Sequence, residues 1–149
     1  MSESIYRQEI KQLAEAAVGH FAFSAEERNS PHLVTLDNPL CGDRVTMRLL
    51  CEGGKVSSVA HEVRGCLLCR AAASAIGQSA PGCNEALLQE VKDSLTSLLG
   101  GNAGNPFPQG WEALEAFRPV ASHRSRHRCV VLPFEVLLRA YRNSGALQK

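Results

Sequence analysis

The chain has 149 residues, 44% of apolar type and 21% charged, enough to build one compact core and too short to favour two. Lys and Arg total 16 against 15 Asp and Glu, so the formal net charge of +1 singles out neither nucleic acid nor a membrane surface as partner. No run approaches the roughly 20 apolar residues that span a bilayer, and the opening MSESIYRQEIKQL lacks the apolar centre of a signal peptide. The expectation is a soluble, cytoplasmic protein folded as a single domain over 1–149.

In chain order, Ile5, Ile10, Leu13 and Ala17 recur at helical spacing and predict an amphipathic opening helix from Ser4 to about Val18. Gly19 to Leu40 reads as irregular, with a weak strand pattern near Leu33 to Leu36 and an Asn-Pro turn before Cys41. Val45, Met47 and Leu49 then alternate with polar neighbours. Glu52-Gly53-Gly54-Lys55 supplies a turn, and Val56 opens a second strand toward Val63, a hairpin pattern. Gly65 ends that strand, and the alanine-rich CLLCRAAASAIGQSA predicts a helix broken by Pro81-Gly82. Asn84 caps the next helix, with Leu88, Val91, Leu95 and Leu98 on one face and Gly100-Gly101 at its end. GGNAGNPFPQG is a loop, WEALEAF a short helix and PVASHRSRHR an irregular basic stretch. The last helix is expected from Pro133 to Arg142, with proline in its first turn. The fold class is α+β: a small antiparallel sheet of about three strands with helices packed on one face.

Six cysteines, Cys41, Cys51, Cys66, Cys69, Cys83 and Cys129, are the informative excess. Without an export signal they read as metal ligands, reactive thiols or small buried residues rather than a disulfide framework. Cys41-Gly42-Asp43 lets a thiol and a carboxylate turn toward one point, a mixed donor pair suited to zinc or iron rather than calcium or magnesium. A buried cysteine beside a turn aspartate explains the same residues. Cys66 falls at a helix mouth, where free N–H groups favour a thiolate. Cys69, one turn further in, is a core residue, a resolving thiol or an alternative metal ligand. Cys129 follows Arg124, Arg126 and Arg128, whose charges are expected to lower its pKa. These arginines alternatively form a solvated loop or meet nucleic acid phosphate, a reading the near-neutral net charge disfavours. His61 or His127 could complete a metal site, although no zinc-finger or H-E-x-x-H spacing is present. Cys51 is read as the outward end of a hairpin strand and Cys83 as a turn residue.

Taken together, Asn38-Pro39-Leu40-Cys41-Gly42-Asp43, Gly65-Cys66 and Arg128-Cys129-Val130-Val131-Leu132-Pro133-Phe134 resemble the iron–sulfur cluster assembly proteins of the IscU/NifU N-terminal family, the SufU branch most closely. Scaffolds of the IscU type usually carry histidine before the third cysteine, where this chain has Arg128. They also have a Leu-Pro-Pro-Val-Lys segment that PVASHRSRHR does not supply, and the stretch from Gly100 to Trp111 is added here, as in SufU-like proteins. The resemblance implies an IscU/SufE-like fold and one metal site made of Cys41, Asp43, Cys66 and Cys129. It implies Zn²⁺ as cofactor, with iron or a labile [2Fe–2S] cluster as the alternative. Its members resemble sulfurtransferase-like carriers rather than turnover enzymes, with Cys41 as nucleophile taking persulfide sulfur from a SufS-like cysteine desulfurase and passing it toward a SufBCD-like cluster assembly complex. The competing reading is a scaffold on the same four groups; a structural zinc module is a third. Cys69 is placed to accept sulfur from Cys66 or to pair with it when metal is lost. No nucleic acid or membrane partner is implied.

Overall fold

The computed structural model describes residues 7–40, 42–102 and 106–144. Three strands, β1 (Val34–Asn38), β2 (Asp43–Glu52) and β3 (Lys55–Arg64), form an antiparallel sheet in the order β1-β2-β3. The weakly patterned segment is therefore the third strand, as expected. The β2–β3 turn falls at Gly53-Gly54, both at positive φ (61° and 78°), which glycine adopts without a Cβ penalty. Strand alternation then sorts the side chains. Asp43, Val45, Met47 and Leu49 of β2 are buried, while Arg44 and Leu50 on the alternate positions are exposed and Arg48 half-buried.

Helices cover the buried face: α3 (Leu67–Ser79) lies on β3, and α5 (His127–Asn143) crosses β1 and β2. Helix α1 (Gln8–Ala16) packs on α3, while α4 (Glu85–Leu99) packs on α5 and on a 3₁₀ segment from Glu112 to Ser122. Asn84 caps α4 as expected, its side-chain oxygen accepting the Leu87 N–H at 2.9 Å. Alanines at 71, 72, 73 and 75, all essentially buried, let α3 pack closely between α1, β3 and α5. The opposite face of the sheet is polar. It carries the ion pairs Arg44–Asp37 (2.7 Å), Arg48–Glu27 (3.3 Å) and Arg28–Glu62, the latter two reaching the one-turn helix α2 (Ala25–Arg28), which closes on a Ser24/Glu27 capping box.

Two segments depart from the sequence expectation. WEALEAF is the start of an 11-residue 3₁₀ helix that continues through Pro119. Helix α5 begins at His127 rather than Pro133, so Cys129 stands in a helical first turn and not at the end of a loop. Pro133 has no N–H to give the helix, and it sits in the interior. The helix persists because Cys129, Val130, Leu132, Phe134, Val136 and Leu137 are all fully buried, worth about 1.5–3 kcal/mol for each larger side chain. The opening helix is described only from Arg7; its expected start at Ser4 lies outside the described residues. Among the described residues, no helix is long and apolar enough to cross a membrane.

Candidate metal centre

Three elements end at one point on the buried side of the sheet. Asp43 is the first residue of β2 and, by alternation, turns its carboxylate to the same side as Val45 and Met47. Cys66 is the N-cap of α3, and Cys129 lies in the first turn of α5. A carboxylate oxygen of Asp43 and the sulfurs of Cys66 and Cys129 all lie within 4.8 Å of one another. Asp43 is 1% exposed and Cys129 fully buried, with Cys66 half-buried.

The Asp43 carboxylate is fixed at one end and open at the other. Oδ1 accepts the backbone N–H of Cys66 at 3.1 Å, a charge-assisted bond at the mouth of α3. Among the described residues, Oδ2 is buried with no hydrogen-bond partner of ordinary geometry. A buried carboxylate oxygen left unpartnered is costly, and a cation placed against it removes that cost. Two sulfurs and one carboxylate oxygen are the donor chemistry of a zinc or iron site, so the residues fit such an ion.

The two thiols share protons unequally. The Cys66 thiol is lowered to about 6, chiefly by the hydrogen bond from Cys129, with the N–H groups of Cys69 and Leu68 acting in the same direction against burial and the Asp43 charge. Cys129 is pushed far up by that same bond, by burial and by Asp43. The expected lowering of Cys129 by its arginines is therefore corrected. Arg128 is turned along α5 onto Glu135 (2.5 Å), and the groups that set the Cys129 proton are a thiolate and a carboxylate.

Cys41, the expected nucleophile, lies outside the described residues. Its neighbours are described: Gly42 N–H donates to the Asn38 carbonyl at 2.8 Å, and Leu40 N–H to Asn38 Oδ1 at 3.3 Å. Gly42 has φ 74°, the left-handed conformation that glycine supplies. Cys69 is fully buried in α3. Cys51, at the end of β2, receives the Ser144 hydroxyl at 3.2 Å, and Cys83 donates to the Ser79 carbonyl at 3.4 Å; neither belongs to the cluster. Neither histidine completes it. The ring Nε2 of His61 bonds the Val18 carbonyl at 2.7 Å, and that of His127 lies 3.0 Å from the carbonyls of Val120 and Ala121.

Sequence reasoning missed the role of Gly65. A Cβ there would stand 2.5 Å from Asp43 Oδ1 and 3.1 Å from its Cγ, so only glycine leaves room for the carboxylate to reach the Cys66 N–H. The signal was present as the Gly65-Cys66 pair, read as a strand terminus, a helix mouth and part of the family resemblance, but not as space for a carboxylate.

With this three-stranded sheet backed on one face by helices, and these donors at its rim, the chain is similar to iron–sulfur cluster assembly proteins of the IscU/NifU type. It superposes on a nitrogen-fixing NifU-like protein (N-terminal) from Brucella abortus with a TM-score of 0.81 and 26% identity, covering 96% of each chain. The zinc-dependent sulfurtransferase SufU of Bacillus subtilis (strain 168) is 27% identical over 117 residues, 73% of this chain and 74% of the relative. The iron–sulfur cluster assembly scaffold protein IscU of Streptococcus pyogenes serotype M1 is 23% identical over 138 residues, 87% of this chain and 86% of that protein. No protein-family model matches the chain.

Proposed function

We propose that the protein is a zinc-bound sulfur carrier in iron–sulfur cluster assembly, with Cys41, Asp43, Cys66 and Cys129 as ligands and Cys41 as sulfur acceptor. The observation that carries the reading is the convergence of Asp43, Cys66 and Cys129 within 4.8 Å at the buried Asp43 carboxylate. Bound Zn²⁺ would hold the thiolates deprotonated and protected from oxidation, with no redox role of its own. The chain's residues divide the remaining work. Asp43, Cys66 and Cys129 come from the ends of regular elements and keep the donor set in place. Cys41, between Asn38-Pro39 and a left-handed Gly42, is the ligand free to leave.

The transfer is a thiol–disulfide-type exchange. The Cys41 thiolate attacks the outer sulfur of a persulfide on a cysteine desulfurase; the new S–S bond forms as the old one breaks, and the desulfurase thiolate leaves. Cys41 then carries the persulfide toward a SufBCD-like assembly complex. The loop from Pro39 to Asp43, the mouth of α3 at Cys66 and the basic run Arg124–Arg128 form the partner-facing side, where positive charge steers an acidic surface.

The second reading, a scaffold holding a labile [2Fe–2S] cluster as cargo on the same four groups, is favoured by the similarity to a relative named as a scaffold. One experiment separates them. The purified chain is incubated with a SufS-like desulfurase and L-cysteine, then alkylated and analysed by mass spectrometry, alongside anaerobic incubation with iron and sulfide. Persulfide on Cys41 with zinc retained, absent in Cys41→Ser, supports the carrier. A stable absorbing cluster without persulfide on Cys41 overturns it in favour of the scaffold.

A further inference from the structure

On the sheet face turned away from the helices, guanidiniums gather around one hollow. In the β2–β3 register Arg44 stands directly opposite Arg64, and Thr46 opposite Glu62, so these four side chains share that outer face in adjacent rows. Arg28 reaches the same rows from α2 through its ion pair with Glu62. Arg28, Arg44, Thr46, Glu62 and Arg64 together line a hollow of about 230 Å³. Thr46 points outward yet is only 4% exposed, which puts it at the floor, beneath the longer side chains. Three guanidiniums therefore meet one carboxylate, and Arg28 already holds that carboxylate. Arg44 is partnered at 2.7 Å by Asp37, which does not line the hollow, whereas Arg64 makes no ion pair among the described residues. Even with Asp37 counted, positive charge exceeds negative here. Like charges directly opposite across a ladder are destabilising, and an anion placed between Arg44 and Arg64 removes that cost. In a chain with a net charge of only +1, the excess is local.

From this we infer a binding site for a tetrahedral oxyanion, as inorganic phosphate or as the phosphate of a small phosphomonoester. A guanidinium presents several N–H donors in a planar fork, so Arg28 and Arg44 keep donors free beyond their bonds to Glu62 and Asp37. Donors arriving from α2, β2 and β3 around the Thr46 hydroxyl suit an anion with oxygens in several directions better than a planar carboxylate. The volume is that of one such group rather than of a drug-sized ligand. An adjoining hollow of about 200 Å³ shares Arg28, Arg44 and Thr46 and adds Leu33 and Thr35, which gives the organic part of an ester a place to lie. The site is on the opposite face of the sheet from the Asp43 carboxylate and uses no residue of the metal centre. It does not depend on whether that centre carries sulfur or a cluster.

Inorganic phosphate and glycerol 3-phosphate are the probes, each titrated into the full-length protein at constant ionic strength and followed in ¹⁵N amide spectra. Saturable shifts are expected at residues 28, 44, 46, 62 and 64, with none from acetate. Arg64→Gln removes an exposed guanidinium that has no ion-pair partner among the described residues, and is expected to weaken phosphate binding about tenfold. Arg139→Gln, at an exposed position on α5, leaves it unchanged. Tighter binding of the ester than of inorganic phosphate supports the site and assigns the adjoining hollow to the organic part. Equal or weaker binding of the ester supports it as a site for the free ion. Absence of saturable shifts, equal shifts with acetate, full affinity in Arg64→Gln, or shifts centred on residues 124–128 each overturns it.

Discussion

Replacing Gly65 with alanine tests the metal centre at its tightest point. The added Cβ would stand 2.5 Å from Asp43 Oδ1, 3.1 Å from Cγ and 3.3 Å from Cβ, with ordinary contact at about 3.5 Å. The carboxylate must therefore retreat by close to 1 Å. The new Cβ presses on the end that is held, so as the carboxylate moves its bond from the Cys66 N–H (3.1 Å) breaks or Cys66 moves with it. Loss of a hydrogen bond to a charged group costs about 1.5–3 kcal/mol, and either outcome spoils the donor geometry. Zinc affinity should fall about 10- to 100-fold, measured by competition with a chromophoric chelator. The control is Gly54→Ala, where a Cβ meets nothing within 4 Å and only the left-handed φ of 78° is penalised; zinc affinity there should be unchanged. The decisive comparison is made in an Asp43→Ala background. With the carboxylate gone, Gly65→Ala should cost little further affinity. An undiminished loss in that background, or no loss in the native one, refutes the steric argument.

Gly77→Ala should destabilise by about 3 kcal/mol or more, because its Cβ would fall 1.9 Å from the Val18 carbonyl oxygen; thermal denaturation reads this directly. His61 is buried, and burial holds its pKa below the ordinary value of 6.5. Its contribution to stability is thus complete above that value and is lost as pH falls below it toward the folded-state pKa, since only the unfolded chain takes up the proton. Melting temperature should decline from pH 7.5 to 5.5, and His61→Gln should flatten that decline even though it lowers stability at pH 7.5. Arg128→Ala should change stability by less than about 1 kcal/mol, the Arg128–Glu135 pair being solvent-exposed, and should leave zinc affinity intact. A large loss of metal in that variant would show that the guanidinium reaches the centre after all. Cys51→Ser should retain metal in full, whereas Cys129→Ser should lose it, by elemental analysis of the purified protein.

Much of this architecture was legible because the local rules agreed with one another. The Val45-Met47-Leu49 alternation fixed which face of β2 is buried, and the same period carries the Asp43 carboxylate to that face. Asn84 and the alanine run set α4 and α3 for equally local reasons. The misreadings have a common origin in tertiary packing. Pro133 has the form of a helix start, and only the complete burial of Cys129 and Val130 shows why the helix begins six residues earlier. That shift also explains the error about Cys129: once it lies inside a helix, Arg128 follows the helical surface to Glu135, and the sulfur faces Cys66 and Asp43 instead. Gly65 was read through the backbone alone, whereas its role is the space left for a side chain 22 residues earlier. Gly77 escaped for the same reason, since its tight neighbour belongs to the segment after α1.

Asp43, Cys66 and Cys129 are each the first or nearly first residue of an element whose remaining length is anchored well away from the ion. Stripping the metal with a chelator should consequently fray three element ends while leaving the strand ladder and helical layer standing. Amide exchange would then quicken around residues 43, 66 and 129 well before it does in the middle of α3 or α5. A site built this way would let go of an ion, or trade one ligand for a partner's, without unfolding to do so.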